Sequence, residues 1–266
     1  MKNSFEMKKD RVKRISATSM LHRREVLSFI GGTVAVSLVG CLRGKSTSAK
    51  PTVSSTQTPT RRLTATTPTC VVRPQQTEGP YFVDEKLNRS DIRSDPSDDS
   101  VKQGVPLRLL FRASRVNGLS CTPLAGATVD IWHCDALGVY SDVTDPHFST
   151  VGKKFLRGYQ VTDAEGIAEF VTIYPGWYPG RTVHIHFKIR TDSAYQDGYE
   201  FTSQLYFEDS LTDQIHRQPP YVAQGQRTLR NDQDGIFRRD GEQLMLQLTK
   251  AAEGYAGTFD IGLQTI

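Results

Sequence analysis

Residues 182–189 read TVHIHFKI, and the spacing of apolar side chains in this run decides the fold class. In an extended chain, successive side chains point to opposite faces. Val183, Ile185, Phe187 and Ile189 then form one wholly apolar face, and His184, His186, Lys188 and Arg190 form the other. The same period recurs on both sides. ATVDIWHCD (127–135) sets Val129 and Ile131 against Asp130 and Trp132. GIAEFVTIYPG (166–176), TSQLYFED (202–209) and the two halves of GEQLMLQLTKAAEGYAGTFDIGL (241–263) alternate likewise, with Gly, Pro, Asp and Asn between the runs. Short strands punctuated in this way predict an all-β domain, a sandwich of mixed or antiparallel strands. Long 3.6-residue periodicity is absent, apart from a short helix expected near Leu211–Arg217. Long loops such as Gly138 to Gly158 interrupt the strands and are where function is expected.

The rest of the chain divides by composition. LHRREVLSFIGGTVAVSLVGC (21–41) has a basic start with paired Arg23 and Arg24, an apolar run from Val26 to Val39, and a terminal Cys41. The apolar run falls short of the roughly 20 residues that span a bilayer. Residues 1–40 therefore read as an export signal of twin-arginine type, with Met20 as an alternative start. LVGC resembles a lipobox, which makes Cys41 the expected lipidation site; an uncleaved N-terminal anchor is the alternative. Residues 41–69 are dominated by Ser, Thr and Pro and read as a disordered tether. Residues 70–266 form the expected folded domain, long enough for one sizeable core. The expected location is extracytoplasmic, held to a membrane only through the N-terminal anchor.

The net charge of +4 does not indicate nucleic acid as a partner. Residues 1–40 hold eight of the 33 Lys/Arg and three of the 29 Asp/Glu, which leaves 25 and 26 for the remainder. The basic balance belongs to the leader. With Cys41 lipidated, Cys70, Cys121 and Cys134 leave room for one intramolecular disulfide; Cys70–Cys121 is favoured among three pairings. None shows the paired spacing of a zinc site.

His184 and His186 share a strand face, so both imidazoles can reach one metal ion. HxH alone is better explained by an ordinary exposed strand face. Two tyrosines shift that balance. Tyr178 lies in GWYPGR (176–181), a turn just upstream, and Tyr140 lies in DALGVYSD (135–142), just past another strand. A tyrosine in a turn usually serves packing. Deprotonated, it is a hard anionic ligand suited to Fe(III). Two phenolates and two neutral imidazoles leave a single positive charge on a ferric ion.

TEGPYF (77–82), DIWHCDALGVYSD (130–142), RGYQVTDAEGIAEFVTIYPGWYPGR (157–181), VHIHFKI (183–189) and TSQLYFED (202–209) occur in the order that resembles the intradiol ring-cleavage dioxygenases. The likeness covers roughly residues 70–265, and the leader resembles the exported branch of that family. It implies a mononuclear non-haem Fe(III) centre on Tyr140, Tyr178, His184 and His186. It further implies that Arg181 stabilises charge on the substrate ring, that Gln204 orients Arg181, and that Tyr178 gives up its place and helps remove a substrate proton. Gly79, Pro80 and Tyr81 fall on a pocket-lining segment. The implied substrates are a catechol and O₂, and the implied product is a cis,cis-muconate-type diacid. The chain departs from better-known members in its short Tyr178-to-His184 loop, in Gly180 where a bulky aromatic is usual, and in lacking an N-terminal helical region. These departures predict a more open pocket.

Other features have simpler readings. His133 is expected to pack or hydrogen-bond near the site, His147 and His216 to face solvent, and Asp163 with Glu165 to form a hairpin turn. A tethered, non-catalytic module binding an aromatic or glycan is the competing function. A zinc hydrolase built on HxH lacks a nearby general-base carboxylate.

Overall fold

The computed structural model describes residues 71–191 and 198–264. The signal segment, the tether, Cys41 and Cys70 lie outside the described residues. Strands β1 (Pro106–Asn117), β2 (Ser120–Pro123), β3 (Thr128–Trp132), β4 (Thr144–Asp145), β5 (Phe148–Ser149), β6 (Arg157–Val161), β7 (Ile167–Ile173), β8 (His184–Arg190), β9 (Glu200–Tyr206), β10 (Leu248–Lys250) and β11 (Tyr255–Leu263) dominate. Helices α1 (Asp209–Ile215) and α2 (Phe237–Asp240) are short.

Two sheets make the sandwich. The first is built on β1, which pairs in parallel with β11 along one edge and antiparallel with β7 and β2 along the other; β10 extends it beyond β11. The second runs β6-β3-β8-β9, antiparallel throughout. Alternation decides what meets between them. Leu107, Leu109, Phe111 and Ala113 of β1 are all buried, as are Ile185, Phe187 and Ile189 of β8. Phe111 and Phe187 meet at 5.1 Å between ring centroids, and Phe187 meets Phe259 of β11 at 5.6 Å. The two inner faces therefore interdigitate as one core.

The other face of β8 is not solvent-exposed. His184, His186 and Lys188 are 2%, 1% and 5% exposed. Loops and the segment leading to β1 cover them: the Thr77 carbonyl accepts from Gln204 on the neighbouring strand, and the Lys188 ammonium meets Glu78 and the Phe82 ring. A second small cluster forms on this outer side, where Trp132, Cys134, Tyr140 and Val143 pack with Tyr81, Phe82 and Tyr178.

Smaller expectations resolve as follows. Helix α1 forms where the short helix was expected, and β10 pairs with β11 around the C-terminal turn. Asp163 makes a turn by accepting the amides of Glu165 and Ile167. His147 is exposed. His216 is not: it is 8% exposed, its Nε2 lies 3.1 Å from the Pro175 carbonyl, and its ring stacks on Tyr221 at 5.1 Å. It follows α1, and an imidazole there completes the packing of that helix against the turn before Trp177. Cys121 is disulfide-bonded and Cys134 is a free, buried thiol, so the partner of Cys121 lies outside the described residues.

Candidate metal centre

One row of side chains crosses the outer face of the second sheet. Arg157 on β6 stands opposite Trp132 on β3, Trp132 opposite His186 on β8, and His186 opposite Gln204 on β9. Opposed residues of antiparallel strands share a face, so these four stand side by side. The Trp132 indole lies parallel to the His186 imidazole, 5.0 Å away at 6°, and fixes its plane. Gly79 closes the other side: a Cβ on it would lie 3.3 Å from His186 Cε1.

Each end of the row holds a loop. The buried Arg157 guanidinium donates to the carbonyls of Ser141 and Tyr81 and so anchors the chain beside Tyr140. Gln204 Oε1 accepts from Arg181 Nη2 at 2.6 Å. The loops bearing the two tyrosines touch through Gly138, whose φ is +79°. A Cβ there would sit 2.2 Å from the Trp177 carbonyl oxygen and 3.3 Å from Tyr178 Cβ. Gly138→Ala is therefore expected to cost about 1–3 kcal/mol of stability through backbone strain alone. Pushing the two loops apart should weaken metal binding about tenfold or more. Urea unfolding and a metal titration check the two effects; unchanged metal affinity would show that the loop contact does not set the site.

The four expected ligand residues are brought together. The Tyr178 hydroxyl lies 3.3 Å from His184 Nε2, and His184 Nε2 lies 3.1 Å from His186 Nε2. His184 Nδ1 donates to the Thr182 carbonyl at 2.6 Å, which leaves a lone pair on Nε2. A proton or a cation must lie between two imidazole nitrogens so close. Burial pushes both histidines well below the ordinary value, and the Arg181 charge adds to this, so both are neutral. Tyr140 is 1% exposed, its ring 5.7 Å from that of Tyr178, and its hydroxyl faces the Tyr178 hydroxyl without forming a well-aligned hydrogen bond. Burial raises both phenols well above their usual value. Arg181, whose charge acts on Tyr178, is already paired with Asp234. Two neutral imidazoles and two buried phenols that only a further cation could ionise fit a ferric ion. Among the described residues no three His, Cys, Asp or Glu side chains cluster for a metal; the phenols complete the donor set.

Arg181 reaches this group from the turn before β8. Its Nε donates to Asp234 at 2.8 Å, and the Thr182 amide donates to the same oxygen at 2.8 Å. The other Asp234 oxygen accepts the amides of Ile236 and Phe237. Tyr81 stacks on Tyr140 at 4.5 Å and donates its hydroxyl to Asp145. Pro80 is exposed and outside the cleft wall. That cleft, of about 600 Å³, opens beside Tyr81 and Tyr178. A Cβ on Gly180 would meet nothing within 4 Å, which leaves that side of the turn open.

A family model described as Dioxygenase matches residues 77–235. An intradiol ring-cleavage dioxygenase from Tetranychus urticae is 29% identical, with a TM-score of 0.63 over 74% of this chain and 96% of that one. This chain belongs to the intradiol ring-cleavage dioxygenase family. The dioxygenase domain of a carbohydrate-binding fusion protein from a Streptomyces species is 30% identical, with a TM-score of 0.51 over 73% of this chain and 99% of that one. The beta chain of protocatechuate 3,4-dioxygenase from Burkholderia cepacia is 34% identical over 122 residues, 42% of this chain. The present chain spans 51% of that relative's length and 43% of the length of a catechol 1,2-dioxygenase from Acinetobacter lwoffii.

This intradiol-family site also uses residues that the sequence reading missed. Asp234, Thr182, Trp132, Arg157 and Asp145 hold its loops and rings, yet each is an ordinary residue whose role depends on a partner distant in sequence. The pairing of TVHIHFKI with TSQLYFED could have placed Gln204 opposite His186. Nothing local marks Asp234, 53 residues from Arg181. His133 is buried among these residues, but Cys134 O and Thr172 Oγ1 occupy its two nitrogens, and burial pushes it down to about 4. Cys134 points to the Gly176 carbonyl, and burial raises its thiol well above the usual value.

Proposed function

We propose that this chain opens the ring of a catecholic substrate between its two hydroxyl-bearing carbons with O₂, giving a cis,cis-muconate-type diacid, and that Tyr140, Tyr178, His184 and His186 hold the Fe(III) that this requires. The carrying observation is the fully buried Tyr140 hydroxyl, without a well-aligned hydrogen bond, in a group with Tyr178 and two neutral imidazoles. Bound ferric iron would supply Lewis-acid activation of the catecholate toward O₂. The protein's own groups do the rest. Tyr178, on the cleft wall and in the turn, is placed to take a substrate proton. Arg181, fixed by Asp234 and Gln204, supplies a preorganised positive charge for a developing ring carbanion. Trp132 and the Thr182 carbonyl hold the imidazole planes.

Loading the purified protein with Fe(III) should give a burgundy colour from phenolate-to-iron charge transfer. It should also give stoichiometric O₂ uptake with catechols, with both oxygen atoms recovered in an intradiol product by mass analysis. A colourless protein after iron loading would point instead to a binding module.

We also propose that residues 1–40 direct export and that lipidation of Cys41 tethers the domain through residues 41–69. The paired Arg23 and Arg24, the LVGC run and the Ser/Thr/Pro-rich stretch support this reading. No helix among the described residues is long and apolar enough to cross a membrane. Cys41→Ser is expected to move the protein from the membrane fraction to the soluble fraction of fractionated cells; unchanged membrane retention would remove Cys41 as the anchor.

A further inference from the structure

The cleft beside Tyr178 is far larger than one aromatic ring needs. Its volume of about 600 Å³ lies in the range that encloses an entire drug-sized ligand. A ring lying against Tyr178 and Tyr81 would fill only a part of it. Much of the lining is apolar, contributed by Leu137, Val139, Pro146, Phe148 and Pro179.

The charge along this wall is one-sided. Asp145 is the carboxylate among the described lining residues, and no lysine or arginine is among them. It is fixed in place, with Oδ2 accepting the Tyr81 hydroxyl at 2.8 Å and Oδ1 accepting the His147 amide at 3.0 Å. The His147 amide and the Tyr81 hydroxyl hold its carboxyl below the usual value, so it is charged at neutral pH. Two arginines of the neighbouring site, Arg181 and Arg157, are already engaged. Arg181 is paired with Asp234, and Arg157 donates to backbone carbonyls, with Glu85 and Asp142 near enough to offset its charge. A carboxylate on the substrate's outer part would meet Asp145 and apolar surface, with no cation to receive it.

Building on the catechol-cleaving reading above, we propose that the substrate is a catechol bearing a bulky, apolar or aromatic arm that is neutral or cationic, with Asp145 selecting against a carboxylate on that arm. Three ring-substituted catechols test this on the full-length, iron-loaded protein at pH 8, where imidazoles are neutral. They carry a methyl group, an aminoethyl group and a carboxyethyl group at the same ring position. The aminoethyl compound is expected to exceed the carboxyethyl one in kcat/KM by about tenfold or more, the effect of opposite rather than like charges a few ångströms apart in a partly solvated cleft. The dissociation constants measured by anaerobic calorimetry should follow the same order. Added salt at about 1 M should shrink the ratio on the unaltered protein, because screening at that ionic strength acts within a few ångströms. Asp145→Asn should bring the ratio of the aminoethyl to the carboxyethyl compound near unity, whatever the change in turnover of the methyl compound. Preference for the carboxyethyl compound, or a ratio that neither salt nor Asp145→Asn moves, would overturn the proposal while leaving catechol cleavage standing. Failure to turn over any of the three would remove the catechol-cleaving reading and this proposal with it.

Discussion

Phenylalanine at position 140 is expected to bleach much of the visible absorption of the iron-loaded protein and to lower kcat at least about 100-fold, since even residues that only support metal ligands cost 10–100-fold when lost. The same change should leave the iron-free fold as stable as before, or stabilise it by up to about 1 kcal/mol. Tyr140 is 1% exposed and its hydroxyl makes no well-aligned hydrogen bond, so folding removes that hydroxyl from water with little return. A hydroxyl kept for structure would show the opposite pattern, with stability lost and colour kept. Visible spectra, steady-state O₂ uptake and urea unfolding of one variant therefore separate the two roles. Full-strength absorption in Tyr140→Phe would remove this residue from the ligand set.

Asp234→Ala carries the largest expected stability effect. Asp234 is 1% exposed and receives four donors: the Arg181 Nε and the amides of Thr182, Ile236 and Phe237. Removing its carboxylate would take the counter-charge from a largely buried guanidinium and leave its Nε and three amides without acceptors. Breaking a buried pair from one side costs roughly 3–5 kcal/mol, a large part of the stability of an ordinary domain. Burial pushes the Asp234 carboxyl up, but the amides and Arg181 outweigh it and hold it below the usual value. The sign of the pH dependence follows. A depressed carboxyl contributes stability that is complete above its unfolded value near pH 4 and is lost as pH falls through the folded one. Unfolding midpoints of the variant should therefore fall below those of the unaltered chain at pH 7, and the gap should narrow under acid. Asp234→Asn retains the size and two of the acceptor contacts, so it should fold. It should also lower kcat more than it raises KM, because Arg181 then points less firmly at the ring. Equal kcat in Asp234→Asn would show that Arg181 needs no such anchor.

Much of this was legible in the sequence, and the reason is the two-residue period. TVHIHFKI put Ile185 and Phe187 into the core and His184 with His186 on one face, because a strand allows no other arrangement of neighbours. The same alternation located β3, β7, β9 and β11, and the motif order carried the likeness to the intradiol family. Strand geometry could not say that both faces of β8 are buried. HxH taken alone would fit a face open to solvent, and His216 was expected outside. Burial on the second face depends on which distant segments lie over it, here the residues around Thr77, Gly79 and Tyr81.

The sequence by itself therefore determined the strands, the apolar half of each, and the types of side chain available to a metal. Tertiary structure alone decided which of them meet. Register across three strand pairs lines up Arg157, Trp132, His186 and Gln204. A bare Gly138 lets the Tyr140 and Tyr178 loops touch, and Asp234 locks Arg181 from 53 residues away. The physical reason is range. Side-chain direction along a strand is set by covalent geometry between adjacent residues. A buried phenol, or a carboxylate on a cleft wall, gains its chemistry from groups that only the closed fold brings within a few ångströms.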